Sequence, residues 1–151
     1  MAVNSRQKAL LTESLLVLAA TAGAVVGMMH LKDYVNRSEA MRAMDQLGRR
    51  VLEYRARVGS LPPASFLDSV KGDLEGAVRM GKVQYRALYI GLDASADTIL
   101  AYSERRYPSS FVQNGYVVLR LSGKVEWLPT ARFAALFATQ RTPAEANAPG
   151  E

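Results

Sequence analysis

The chain has 151 residues, a formal net charge of +5 and no cysteine, which excludes disulfides, thiolate catalysis and cysteine zinc sites. It carries one histidine, His30, too few for a histidine triad or a multi-histidine metal site. Its arginines are scattered, which argues against a nucleic-acid interface, because basic binders concentrate charge on one face.

Residues 1–8 are polar, carry Arg6 and Lys8, and read as a cytoplasmic leader. Between Ala9 and Leu31 the only charged side chain is Glu13; Lys32 and Asp33 close the far side. A helix needs about 20 mostly apolar residues to cross a bilayer, so 9–31 is expected to be a transmembrane helix. The rival is a cleaved secretory signal, with Arg6 and Lys8 as its basic region and Ala20-Thr21-Ala22 as a cleavage site. Glu13 inside the apolar core, and the continuation through Val25, Val26, Met28 and Met29, favour an uncleaved anchor. Basic residues at both ends orient the segment only weakly. Gly23 and Gly27, four apart, either permit close helix packing or are simply small residues in an apolar helix. An ionised Glu13 is costly in lipid and less so near an interface. It either stays hydrated among the headgroups or pairs with a cation on a neighbouring molecule. His30 is expected at the membrane interface.

The segment Lys8-Ala9-Leu10-Leu11-Thr12-Glu13-Ser14-Leu15-Leu16-Val17 resembles a degenerate class III prepilin start, in which a short basic leader precedes a cleavage site, a glutamate and a long apolar helix. The resemblance implies that Glu13 neutralises the N-terminal amine of an adjacent subunit. Lys8 and Ala9 stand where that family has glycine before the cut and usually phenylalanine after it.

Residues 32–59 read as an amphipathic stalk helix. Met44, Leu47, Val51, Tyr54 and Val58 recur at spacings of three and four, the stripe of a half-buried helix. Asp45, Arg49, Glu53 and Arg57 form a solvated face, with acid-before-base pairs that support the helix. The pattern weakens between Asp33 and Ser38, where a kink or break is expected. Unbroken, a helix from Leu10 to Val58 would be roughly 70 Å long. Gly59 suits a helix end, and Pro62-Pro63 block continuation. Tyr54, Gly59 and Pro62 resemble the aromatic, glycine and proline that close the long helix of pilin-like proteins.

Residues 60–140 are expected to form a small α+β head. A short helix is predicted from Pro63 to Leu74, with Phe66, Leu67, Val70 and Leu74 on one side. Lys82 to Leu92 and Thr98 to Tyr102 read as strands, and Ser103 to Gly115 as a turn-rich connection. Tyr116 to Leu128 reads as a hairpin turning at Ser122-Gly123. A terminal helix follows Pro129-Thr130, with Phe133, Leu136 and Phe137 on its apolar face. Residues 141–151, rich in alanine and proline, are expected to be disordered. Ile99-Leu100-Ala101-Tyr102, Asn114-Gly115-Tyr116-Val117-Val118 and Ser122-Gly123-Lys124-Val125-Glu126-Trp127-Leu128 resemble the end of pilin-like and pseudopilin-like proteins of the type II secretion group, with serine in place of the usual aspartate at the turn. The expected fold is α+β and pilin-like: a long membrane helix continuing into a stalk, packed on a small antiparallel sheet with short helices.

No constellation points to catalysis. Asp93 and Asp97 place oxygen ligands like half of a calcium loop but lack the central glycine and later glutamate; a solvated turn is the plainer reading. Glu104 and Glu126 are conceivable as an acid–base pair, though nothing in the sequence places them together. Ser109-Ser110 has no histidine partner outside the membrane segment. The tyrosines and Trp127 read as packing residues. The expectation is therefore a non-catalytic pilin-like or pseudopilin-like subunit of an envelope assembly or secretion apparatus. It would sit single-pass in a bacterial inner membrane with its head outside the cytoplasm. Its partners would be membrane lipid and further copies or other pilin-like subunits, met through Glu13, Gly23 and Gly27. No cofactor, metal, nucleic acid or small-molecule substrate is expected. The alternative is a single-pass protein whose head binds a protein partner or ligand without forming a filament. A membrane-attached hydrolase is a third class, with no residues to carry it.

Overall fold

The computed structural model describes residues 5–91, 93–107 and 112–146. Helix α1, Ser5–Val58, is continuous over 54 residues. At about 1.5 Å per residue it is roughly 80 Å long. The helix does not break between Asp33 and Ser38, where a kink or break is expected from the sequence. No proline or glycine stands between Met28 and Leu47 to break the ladder, and the Ser38 hydroxyl donates back to the Val35 carbonyl at 2.9 Å. The helix also runs through Arg6–Lys8, so the backbone has no boundary between leader and span.

The second half of α1 lies against a four-stranded antiparallel sheet in the order β1-β2-β3-β4. The strands are β1 Gln84–Tyr85, β2 Ile99–Arg105, β3 Gly115–Arg120 and β4 Val125–Pro129. Helices α2 (Ala64–Lys71) and α3 (Ala77–Met80) pack on the α1 side of the sheet, and α4 (Thr130–Gln140) covers the other face. The head thus has three layers and two cores. The larger joins Ala40, Met44, Leu47 and Val51 of α1 to Leu67, Met80, Leu100, Val117 and Leu119. The smaller joins Ile99, Val118 and Leu128 to Phe133 of α4. Val117 and Val118 are both fully buried, because a sheet covered on both faces needs apolar residues at successive positions.

The α1 stripe is shifted from its expected place. It runs Ala40, Ala43, Met44, Leu47, Gly48 and Val51, while Tyr54 is half-buried and Val58 is 52% exposed beyond the sheet. Small residues at 40, 43 and 48 let the helix sit close to the sheet. On the opposite face Arg49 pairs with Asp45 at 2.6 Å as expected, and Glu53 faces Arg50 at 3.9 Å.

The hairpin follows its sequence pattern. Val117 opposes Trp127, Tyr116 opposes Leu128, and Gly123 turns at φ 87°, a conformation glycine adopts at little cost. Gly59, at φ 82°, ends α1 by donating its N–H to the Arg55 carbonyl at 2.8 Å.

Three expectations need correction. The strand predicted from Lys82 to Leu92 keeps only two paired residues before a 3-10 turn at Ala87–Tyr89, because Arg86 turns inward to a buried cluster described below; Leu92 lies outside the described residues. Strand β2 reaches Arg105, since Ser103, Glu104 and Arg105 pair with Val117, Tyr116 and Gly115, so the turn-rich connection starts later than Ser103. Of the tail expected to be disordered, Pro143–Ala146 form a short helix α5 whose Glu145 is tied to Arg86; residues 147–151 lie outside the described residues.

Candidate functional site: an exposed apolar helix and the cavity at its head-side end

From Arg6 to Met28 every residue of α1 is exposed. Leu15 is 70% exposed, and Leu10, Leu18 and Met28 are similarly bare. This helix is long and apolar enough to span a membrane, with none of its apolar window buried inside the protein. So much apolar surface requires a cover of lipid or protein. Thr12 and Thr21 satisfy their hydroxyls within the helix by donating to the Lys8 and Val17 carbonyls at 2.9 and 2.8 Å, as a lipid environment requires.

Glu13, Gly23 and Gly27 lie on this exposed part. Gly23 and Gly27 are one turn apart, with open space where a side chain would be. At about 100° per residue, Glu13, Ala20, Ala24 and Gly27 fall within roughly 60° of one another, and Gly23 borders them. The structure therefore places one carboxylate on the same side as a strip of small residues. Glu13 lies about 21 Å below Gly27 along the axis.

At the other end of the apolar run a cavity of about 350 Å³ opens where the head meets α1. Met29, Lys32, Asp33 and Asn36 of α1 line it together with Arg79, Arg105, Arg106 and Tyr107. Asp33 is 5% exposed and Tyr107 8%. Arg79 pairs with Glu39 at 3.3 Å, and Arg106 with Glu104 at 2.7 Å. Among the described residues Lys32 and Arg105 have no ion pair. The Arg105 Nε is buried without an acceptor, and the Tyr107 hydroxyl, whose proton meets no acceptor among the described residues, lies beside the Arg105 guanidinium, which partly offsets the rise that burial gives its pKa. Nearby, Arg37 lies 4.5 Å over the Trp127 ring. This cavity is invisible to periodicity read forward from Met44. Carried back by sevens from Leu47, the stripe passes through Ala40 to Asp33, and a lone carboxylate on a buried stripe is the signal that marks it.

Arg86 is the second buried polar cluster. Its guanidinium, 2% exposed, donates to both Glu145 oxygens, to the Ile99 carbonyl at 2.7 Å and to the Gln140 carbonyl at 2.8 Å. It also lies 4.8 Å over the Phe137 ring. Four of its five N–H donors are used, and all four go to groups of the protein itself, so the cluster reads as a fastening.

The remaining sequence candidates do not converge. Glu104 is held by Arg106, and Glu126 by Arg120 with Lys124 at 3.8 Å; each carboxylate is neutralised by its own arginine rather than facing the other. Asp97 offers its backbone carbonyl to Arg120 and Gln140, and among the described residues no three metal-ligating side chains gather at Asp93 and Asp97 or elsewhere. Ser109 and Ser110 lie outside the described residues. His30 is half-buried at the end of the apolar run.

At the far end of the head a groove of about 510 Å³ runs between the end of α1 and the 3-10 turn, lined by Tyr54, Leu61, Pro62, Tyr85, Leu88 and Ile90. The Tyr85 hydroxyl donates to the Pro62 carbonyl at 3.0 Å, and burial pushes its pKa up to about 12. Burial also raises the Tyr102, Tyr107 and Tyr116 phenols. These shifts fit packing residues that hold their protons.

No family model, curated protein or solved structure matches the chain.

Proposed function

We propose that this chain is a non-catalytic, membrane-anchored subunit of a bacterial envelope assembly or secretion apparatus, of pilin-like or pseudopilin-like kind. In this reading the apolar half of α1 sits in the inner membrane and the head lies outside the cytoplasm. One observation carries the proposal: a single unbroken helix is bare and apolar for its first half and buried along a narrow stripe for its second. A rod of that kind transmits any association made in the membrane directly to the position of the head. The small-residue strip beside Glu13 supplies a surface on which apolar helices can approach closely, and a partner's cation would offset the carboxylate.

Single cysteines placed between Leu10 and Leu31 test this cleanly, because the chain has none of its own. Oxidation in native membranes is expected to give crosslinked ladders or heterologous adducts at Gly23 and Gly27, weakened by Glu13→Ala. Monomer alone at every position, unchanged by Glu13→Ala, overturns the proposal. The groove at Tyr54, Tyr85 and Leu88, where Leu88 is 88% exposed, favours a second reading, in which the head binds a protein partner without a filament. Crosslinks confined to that groove would select it.

A further inference from the structure

We propose that the cavity between α1 and the head seats the headgroup of a membrane phospholipid, one that carries a primary ammonium beside its phosphate. The inference rests on the membrane reading of α1. The apolar run of residues 9–31 covers about 34 Å at about 1.5 Å per residue, matching a hydrocarbon core of about 30 Å. That places Lys32 and the cavity mouth at headgroup level. Met29, still part of the apolar run, forms one wall of the same cavity, so a lipid can keep its chains along the helix while its head turns inward.

The cavity chemistry suits a zwitterion. Lys32 and Arg105 are cations without an ion pair among the described residues; Arg105 Nε is a buried donor lacking an acceptor, and the Tyr107 hydroxyl beside the Arg105 guanidinium has no acceptor for its own proton. A phosphodiester offers several acceptor oxygens and a negative charge to this wall. Arg79 and Arg106 add positive potential, partly offset by Glu39 and Glu104. Asp33 is different. It is a buried carboxylate in the same cavity, with no cation within salt-bridge reach among the described residues. It would repel a purely anionic headgroup and accept hydrogen bonds from an ammonium. A trimethylated ammonium has no N–H to donate, so phosphatidylethanolamine chemistry fits better than phosphatidylcholine or phosphatidylglycerol.

The test uses the full chain in nanodiscs of phosphatidylcholine doped with either phosphatidylethanolamine or phosphatidylglycerol, and native mass spectrometry counts the lipids retained after release. Wild type is expected to hold one phosphatidylethanolamine in preference to the other two. Lys32→Gln and Arg105→Gln should lose it, and Asp33→Asn should lose the preference while still holding lipid. Lys32 is exposed, so its variant keeps the test meaningful if Arg105→Gln disturbs the head. Equal retention of phosphatidylglycerol by wild type, or full retention by both cation variants, overturns the inference. So does displacement of the lipid by millimolar inorganic phosphate, which would make this a soluble-phosphate site. A chain that fails to co-elute with discs sinks the membrane proposal as well; a chain that inserts without discriminating among lipids sinks only this inference.

Discussion

Arg86 and Glu145 meet in a two-pronged ion pair, Nε to Oε1 at 2.7 Å and the second nitrogen to Oε2 at 2.8 Å, with side chains 2% and 10% exposed. They are 59 residues apart in sequence. The pair binds the end of the described chain to the sheet, and Gln140 reinforces it by accepting the Ile99 N–H at 2.8 Å.

Removing one partner strands the other. Glu145→Ala is expected to cost about 3–5 kcal/mol, since a buried guanidinium would lose its counter-charge. Replacing both, as Arg86→Met with Glu145→Leu, should cost far less, because the charges leave together. Trp127 is the only tryptophan, so its fluorescence during denaturant unfolding of the full chain in detergent reports head stability directly. A Glu145→Ala chain as stable as wild type would show that the fastening contributes nothing.

The sequence made some features legible and left others hidden, for identifiable reasons. The long helix, the hairpin at Ser122-Gly123 and the apolar face of α4 rest on local periodicity and turn chemistry, which are read within a dozen residues. The two-sided burial of Val117 and Val118 was not marked, because apolar neighbours do not say which layers cover them. Arg86 read as one residue of a strand and Glu145 as part of a disordered tail; only tertiary packing brings them together. The helix passes Asp33 without a break for a related reason. The helix there lacks an apolar stripe because its inward position is a carboxylate, not because the backbone breaks. Glu13, Gly23 and Gly27 are singled out one by one from residue type, and no contact within one chain bears on what they meet.

Two glycines should respond oppositely to enlargement. A Cβ on Gly115 would press on the Leu128 carbonyl, which belongs to the β3–β4 ladder, and lie 2.7 Å from the Trp127 ring, which is itself packed against Tyr107 and Arg37. Gly115→Ala is expected to destabilise the head by about 1–3 kcal/mol, the usual cost of overpacking. On Gly48 the Cβ would crowd a terminal methyl of Leu119, at 2.7 Å, with the Gly123 carbonyl at an ordinary 3.6 Å. There alanine gains about 1 kcal/mol of helix propensity, which offsets the small repacking. Gly48→Ala should change the unfolding midpoint little, and the reverse order of the two variants would contradict the packing described.

Alkaline pH should loosen the far end of the head. Tyr85 carries a phenol raised from 10.0 to about 12, chiefly by burial and secondarily by Tyr54. Below pH 10 it is protonated in both folded and unfolded chains. Between those two values the unfolded chain gives up its proton first, so stability present below pH 10 is lost as the pH climbs toward 12. Tyr102, Tyr107 and Tyr116 are shifted the same way and add to the slope. Tyr85→Phe should start lower by about 1 kcal/mol, through loss of the bond to the Pro62 carbonyl, and then decline less steeply. Unfolding midpoints between pH 8 and pH 11, followed by Trp127 emission, check this; equal slopes for the two chains would refute it.

The span and the head should fail independently. No side chain between Leu10 and Met28 contributes to either core, so the head's stability does not draw on that half of α1. Arginine near the middle of an apolar span costs about 2.5–3.5 kcal/mol of insertion free energy on a translocon scale. Leu15→Arg combined with Leu18→Arg should therefore move the protein from the carbonate-resistant membrane fraction to the extractable one. The same double variant in detergent should keep the wild-type unfolding midpoint of the head. Met44→Ala should do the reverse, costing about 2–5 kcal/mol in the core while leaving membrane retention intact. A Leu15/Leu18 variant that stays membrane-bound would remove the span from its proposed place in lipid, and one that unfolds the head would show that the two halves of α1 are coupled more tightly than their contacts indicate.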